Sequence, residues 1–255
     1  MKVVIKVGTS TLAHSTGKLN IRLTGELCKV ISDLKNAGNE VVLVSSGAIG
    51  MGVGKLALQS IPQDIPTKQA AAAVGQCELM YTYDRLFTEY NHTVAQILLT
   101  GADFTANDRH ENFRNTVTRL LELGALPIVN ENDTIATDEI KVGDNDTLSA
   151  LVAVSLNAEL LIILSDVNGL YSADPHKDKN AKLIEEVRAL TPEMEALAGG
   201  AGSALGTGGM KTKLSAVKIC SEAGCDTVIA NGENPEILYD IVAGKRGGYT
   251  RFFAK

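Results

Sequence analysis

The chain has 255 residues, 45% of them hydrophobic, with a formal net charge of −6 from 24 Lys and Arg against 30 Asp and Glu. That apolar content suffices for one large α/β domain or two lobes sharing a sheet, and the scattered basic residues exclude a phosphate-backbone binder, which needs clustered Lys and Arg. The N-terminal residues 1–6 lack the long apolar stretch of a signal peptide, and the apolar run 148–164 is broken by Ser155, Asn157 and Glu159, so a soluble, cytoplasmic chain is expected.

Residues 2–7 read as the first strand, with Lys6 inside an otherwise apolar run. Such a lysine points to solvent on an alternating strand, but on a central strand covered on both faces it needs an anion as partner. The adjacent Gly8-Thr9-Ser10 turn offers a place for a phosphate and favours the second reading. The apolar spacing then predicts a helix over 22–37 closed by Gly38, and a strand over 40–44 that runs into Ser45-Ser46-Gly47. Gly50-Met51-Gly52-Val53-Gly54-Lys55-Leu56 looks like a phosphate loop, yet its spacing is wrong for a Walker A motif, and Leu56 stands where Ser or Thr would hold magnesium. No G-x-G-x-x-G follows a strand, and Ser45-Ser46-Gly47 lacks the flanking glycine of a serine-nucleophile elbow.

Predicted helices over 67–90 and 112–123 alternate with strands over 93–99 and 125–129, and the last of these empties into Asn130-Glu131-Asn132-Asp133. Gly143-Asp144-Asn145-Asp146 opens a helix over 145–156; one such residue serves as an N-cap, whereas three consecutive polar residues exceed what a cap requires. A strand over 160–164 ends at Ser165-Asp166. The Gly-rich stretch 199–209 reads as a loop inserted within a domain. It leads through Gly206-Thr207-Gly208-Gly209-Met210-Lys211-Thr212-Lys213 into a helix over 210–223, followed by a strand over 226–229. Glycines let backbone N–H groups approach a phosphate, and Lys213 in the first helical turn conflicts with the helix dipole unless an anion lies nearby; the alternative is a solvated lysine after a linker.

Cys28, Cys77, Cys220 and Cys225 form no C-x-x-C pair and are expected to be reduced and partly buried. His14, His92, His110 and His176 lack H-E-x-x-H spacing, so a catalytic metal held by histidine is not expected. Strand-helix alternation implies a mostly parallel sheet covered on both faces, and the polar clusters that follow the strands would converge on one edge, where open α/β sheets bind ligands. Two lysines, glycine-rich anion cradles and carboxylates without an evident general base suit phosphoryl transfer to an acceptor that is already ionised, such as a carboxylate.

At these residues the sequence resembles the amino-acid kinase family, and within it the branch whose acceptor is glutamate. The likeness runs through Lys6-Val7-Gly8-Thr9-Ser10, Ser45-Ser46-Gly47-Ala48, Gln69-Ala70-Ala71-Ala72-Ala73-Val74-Gly75-Gln76, Thr100-Gly101-Ala102-Asp103, Asn130-Glu131-Asn132-Asp133, Gly143-Asp144-Asn145-Asp146 and the 207–213 loop. It implies a three-layer α/β/α sandwich with a mostly parallel central sheet, a glutamate-binding lobe over about 1–155 and an ATP-binding lobe over about 156–255. Many bacterial members carry a further C-terminal PUA domain, and these residues are expected to form the kinase domain alone.

By the same resemblance, Ser46, Asp133 and Asn145 bind L-glutamate, with Asp133 suited to its ammonium. Lys6 and Lys213 stabilise charge on the transferred phosphoryl group, and Asp146 orients them. ATP is contacted by Lys6, Ser165, Asp166, Thr207, Gly208, Gly209, Met210, Lys211, Thr212 and Lys213, while Mg2+ rides on its phosphates without a protein ligand. The product is an acyl phosphate of proline biosynthesis. Proline as feedback inhibitor, a homo-oligomer and contact with glutamyl-phosphate reductase are implied, with no nucleic-acid or membrane partner. Aspartate, acetylglutamate, carbamate and uridylate kinases are the rivals within the fold, and Asp133 argues against acceptors that lack an ammonium. A non-catalytic amino-acid sensor is the rival of another class, and the presence of Lys6, Lys213 and Asp146 argues against it.

Overall fold

The structure, a computed structural model, describes residues 1–14, 18–135, 145–173, 178, 180–197 and 209–255. Six strands run parallel: β1 (Lys2–Val7), β2 (Glu40–Ser45), β3 (Val94–Leu99), β4 (Leu126–Glu131), β5 (Leu160–Ser165) and β7 (Asp226–Asn231). All six match predicted strands to within two residues. Two short strands, β6 (Glu186–Val187) and β8 (Tyr249–Phe252), complete a sheet of eight strands among the described residues, in the order β3-β4-β2-β1-β5-β7-β8-β6. β8 runs antiparallel to β7. Neither was predicted, because one has two residues and the other, Tyr249-Thr250-Arg251-Phe252, mixes polar with apolar positions.

Alternation along each strand sorts side chains onto two faces. Val3, Ile5 and Val7 of β1 join a core with α2 (Ile21–Asn36), α4 (Ile65–Thr88) and α10 (Ile237–Val242). Val4 joins the opposite core with α6 (Asn107–Glu122), α7 (Asn145–Ser155) and α9 (Met210–Glu222). The result is the three-layer α/β/α sandwich expected. Gly38, Gly124 and Gly224 each take positive φ just after α2, α6 and α9, the left-handed C′ position read from the sequence. Among the described residues no helix is long and apolar enough to cross a membrane.

The glycine-rich 50–56 segment is no phosphate loop. It lies in α3 (Ala48–Lys55), packed against α4. A Cβ at Gly52 would fall inside contact distance of the Ala71 carbonyl, and one at Gly75 inside contact distance of the Ala48 carbonyl. These glycines set the distance between the two helices. Gly75→Ala is therefore expected to destabilise the fold by about 3 kcal/mol, the upper range for forced overpacking, measured as a fall in the chemical-denaturation midpoint at constant slope. Cys28, Cys220 and Cys225 are buried as expected, but Cys77 is exposed, since it lies on the outer side of α4 next to the inward-facing Gln76.

Candidate active site

β4, β2, β1 and β5 are neighbours and parallel, so their carboxyl ends open onto one edge of the sheet, as the polar clusters suggested. Lys6 shares its strand face with Val4 and points into the layer of α7 and α9, where it is only 8% exposed. A lysine so buried requires an anion. Asp146, in the first turn of α7, supplies it: Lys6 Nζ lies 2.7 Å from Asp146 Oδ1. Lys213, 5% exposed in the first turn of α9, approaches Asp146 Oδ2 at 3.3 Å. The Thr212 hydroxyl donates to the same oxygen at 2.8 Å.

Two cations from separate chain segments thus share one carboxylate that has no exposed surface. Burial alone would push the Asp146 carboxyl up. The charges of Lys6 and then Lys213, with hydrogen bonds from Lys6 and Thr212, outweigh burial and hold it below the usual carboxylate range. Counted over the described residues, the cluster carries a formal excess of one positive charge at the sheet edge. Lys213 also stands at a helix N-terminus, where the dipole disfavours cations, and Asp146 supplies the negative charge that the position demands.

Beside this cluster lies a polar network built on Asn145, the residue before Asp146. Asn145 Nδ2 donates to Ser46 Oγ at 2.6 Å, to Asn130 Oδ1 at 3.0 Å and to the Ser45 carbonyl at 3.3 Å. Consecutive residues therefore serve two groups: Asp146 gathers the lysines, while Asn145 ties the ends of β2 and β4 together. Asp133 follows β4 in a half-buried position, and burial raises its carboxyl above the usual range. Among the described residues no hydrogen bond or ion pair reaches that carboxylate.

At the end of β5 the Ser165 hydroxyl donates to Asp166 Oδ1 at 3.0 Å. Gly209 caps α9, Met210 is half-buried and Lys211 is exposed. Thr207 and Gly208, like Gly143 and Asp144, lie outside the described residues. The structure joins Lys6, Asp146, Thr212 and Lys213 directly, and Ser46 with Asn145. No hydrogen bond links Asp133 or the Ser165-Asp166 pair to either group among the described residues. Sequence reading singled out neither Gln76 nor Tyr83 as a site residue. Gln76 accepts from Asn130 Nδ2 at 2.9 Å, and the Tyr83 hydroxyl pairs with Ser45 Oγ at 2.8 Å. The available signal was a polar group on the buried stripe of α4, in helical register with Ala72, Leu79 and Tyr83.

A buried lysine pair on a shared carboxylate, at the carboxyl edge of a parallel sheet, defines a site for a highly charged anion of the kind phosphotransferases handle. Residues 1–231 match the model of the Amino acid kinase family, and the chain belongs to that family. Glutamate 5-kinase of Clostridium perfringens is 55% identical over 259 residues, covering 100% of this chain and 96% of that protein. Glutamate 5-kinase of Caldanaerobacter subterraneus is 50% identical over 250 residues, covering 98% of this chain and 67% of the longer relative. Among solved structures, carbamate kinase from Giardia lamblia bound to AMP-PNP superposes with a TM-score of 0.70 at 18% identity, covering 100% of this chain and 98% of that one, a likeness of fold.

Proposed function

We propose that this chain is a glutamate 5-kinase, transferring the terminal phosphoryl group of ATP to the side-chain carboxylate of L-glutamate. The observation that carries the mechanism is the convergence of Lys6 and Lys213 on buried Asp146. A carboxylate oxygen of glutamate attacks phosphorus, the new O–P bond forms as the bond to the bridging oxygen breaks, and ADP leaves. The nucleophile is already ionised at neutral pH, so the step requires no proton transfer. Lys6 and Lys213 stabilise negative charge on the phosphoryl oxygens in transit, and Asp146 holds both ammonium groups in place beforehand.

The acceptor half, about 1–155, contributes Lys6, Ser46, Asp133 and Asn145. The nucleotide half, about 156–255, contributes Ser165, Asp166 and the 207–213 segment. Among the described residues no cluster of three or more His, Cys, Asp or Glu suits a metal ion, and Asp146 is committed to Lys6, Lys213 and Thr212. Mg2+ is carried chiefly by the nucleotide, where it neutralises phosphate charge. The acyl-phosphate product is labile, which suits direct uptake by glutamyl-phosphate reductase. Inhibition by proline, as end product, and assembly into a homo-oligomer complete the proposal.

The decisive assay is coupled ADP release across glutamate, aspartate, N-acetylglutamate, carbamate and uridylate, with hydroxamate trapping of the acyl phosphate formed from glutamate. Glutamate is expected to dominate, and clear preference for another acceptor would sink the assignment.

Asp133 gives the proposal a pH signature. Its raised carboxyl must be ionised to pair with the substrate ammonium, so KM for glutamate should rise as pH falls through that raised value. Asp133→Asn should remove this acid limb and raise KM for glutamate at least tenfold at neutral pH. The same raised value means that the ionised form is penalised in the fold, a cost absent at low pH and felt as pH climbs through it. Asp133→Asn should therefore melt slightly higher than the native chain at neutral pH, and an unchanged pH profile of KM would contradict the role.

A further inference from the structure

The amide groups behind Asn145 form a directed relay whose starting point is a backbone donor. The Glu131 N–H can only donate, and it lies 2.9 Å from the Asn130 side chain, so the atom facing it is Oδ1. Asn130 Nδ2 is then the atom that faces Gln76, and Gln76 must present Oε1 to it, at 2.9 Å. Asn130 Oδ1 also receives Asn145 Nδ2 at 3.0 Å, and that amide reaches Ser46 Oγ at 2.6 Å. Each orientation dictates the next, with Gln76 at the rear and Ser46 at the mouth.

Gln76 is expensive to keep in this place. It is 8% exposed on α4, and its Nε2 is buried with no hydrogen-bond partner among the described residues. A buried unpaired donor is a penalty that an apolar side chain of the same size would avoid. α4 lies on the opposite face of the sheet from α7, so the glutamine reaches the end of β4 from behind, among the apolar residues Ala72, Leu79 and Tyr83.

We propose that Gln76 is a positioning residue of the acceptor subsite. By accepting from Asn130 it holds that amide in one orientation, and through it holds Asn145 with both Nδ2 hydrogens turned inward. The consequence is a subsite of fixed polarity. Asn145 Oδ1 is left as an acceptor suited to an ammonium, and Ser46, whose oxygen is occupied by Asn145, keeps its hydroxyl hydrogen to donate to a carboxylate. The inference rests on the glutamate-kinase reading and deepens it.

The test compares Gln76→Met, similar in size but without the acceptor oxygen, with Gln76→Glu, which keeps an oxygen for Asn130 Nδ2. Gln76→Met should raise KM for glutamate about tenfold, with KM for ATP and kcat within about twofold and no loss of melting temperature. Gln76→Glu should retain a glutamate KM within about threefold of native. In an Asn145→Ala background, Gln76→Met should add less than a twofold change, because the relay is already cut. An unchanged glutamate KM in Gln76→Met overturns the proposal, as does an equal rise in Gln76→Glu. Additive effects in the double variant, or KM for both substrates and melting temperature worsening together, also overturn it. Native protein that fails to phosphorylate glutamate would instead overturn the functional reading, so the two failures are distinguishable.

Discussion

Lys213→Met is expected to lower kcat by about two to three orders of magnitude while leaving KM for glutamate within about threefold of native. The asymmetry follows from the charges. Among the described residues the native cluster holds two cations against one anion, and removal of Lys213 leaves the Lys6–Asp146 pair at 2.7 Å, a neutral unit that the interior tolerates. The fold should persist, and Ser46, Asn145 and Asp133 should still receive the amino acid. What is lost is one of two cations facing the phosphoryl group in the transition state, an interaction worth little to the bound amino acid. Steady-state kinetics with each substrate varied separately reads the split. A rise in glutamate KM with unchanged kcat would remove Lys213 from the chemistry.

The opposite substitution behaves differently. Asp146→Asn removes the carboxylate that Lys6 and Lys213, 8% and 5% exposed, share in the native chain. Removing one partner from a buried ion cluster costs about 3–5 kcal/mol, a large share of the about 5–15 kcal/mol that stabilises a typical fold. For a chain of this length the melting temperature should drop by about 10 °C. The pH dependence should flatten as well. In the native chain the depressed Asp146 carboxyl contributes stability that is present above the ordinary carboxylate range and lost as pH falls through its lower folded value. In Asp146→Asn the acidic group is gone, so this loss of stability on acidification should disappear. ATP should restore more melting temperature to this variant than to the native chain, because its phosphates replace the missing anion. Thermal melts across pH, with and without nucleotide, test all three expectations, and a variant as stable as native at neutral pH would show that the lysines are not held by Asp146.

Much of this architecture was readable from the chain, for a physical reason. The inner strands β1, β2, β4 and β5 are buried on both faces, so each reads largely as a Val, Ile and Leu run, and Lys6 shows as the exception. A lysine in a doubly covered strand must meet an anion, and that inference pointed to the site before any contact was visible. The identity of the partner was less accessible. Asp146 lies 67 residues before Lys213 and on another helix, and only the fold brings the two together. α3 was hidden because its glycines imitate a phosphate loop; their purpose, close passage of α4, depends on the neighbouring helix rather than on local pattern. Gln76 shows the same limit from the other side. A glutamine on an apolar helical stripe is visible in sequence, but its meaning comes from Asn130, 54 residues away.

The central claim is that an ionised side-chain oxygen of the amino acid bonds to phosphorus within the lysine cluster. It is tested most directly with glutamate carrying 18O in its side-chain carboxylate. After turnover with ATP, hydroxylamine attacks the acyl carbon and releases phosphate together with the oxygen that bridged carbon and phosphorus. Mass spectrometry should find one 18O atom in that phosphate, and unlabelled phosphate formed alongside glutamyl hydroxamate would contradict the mechanism.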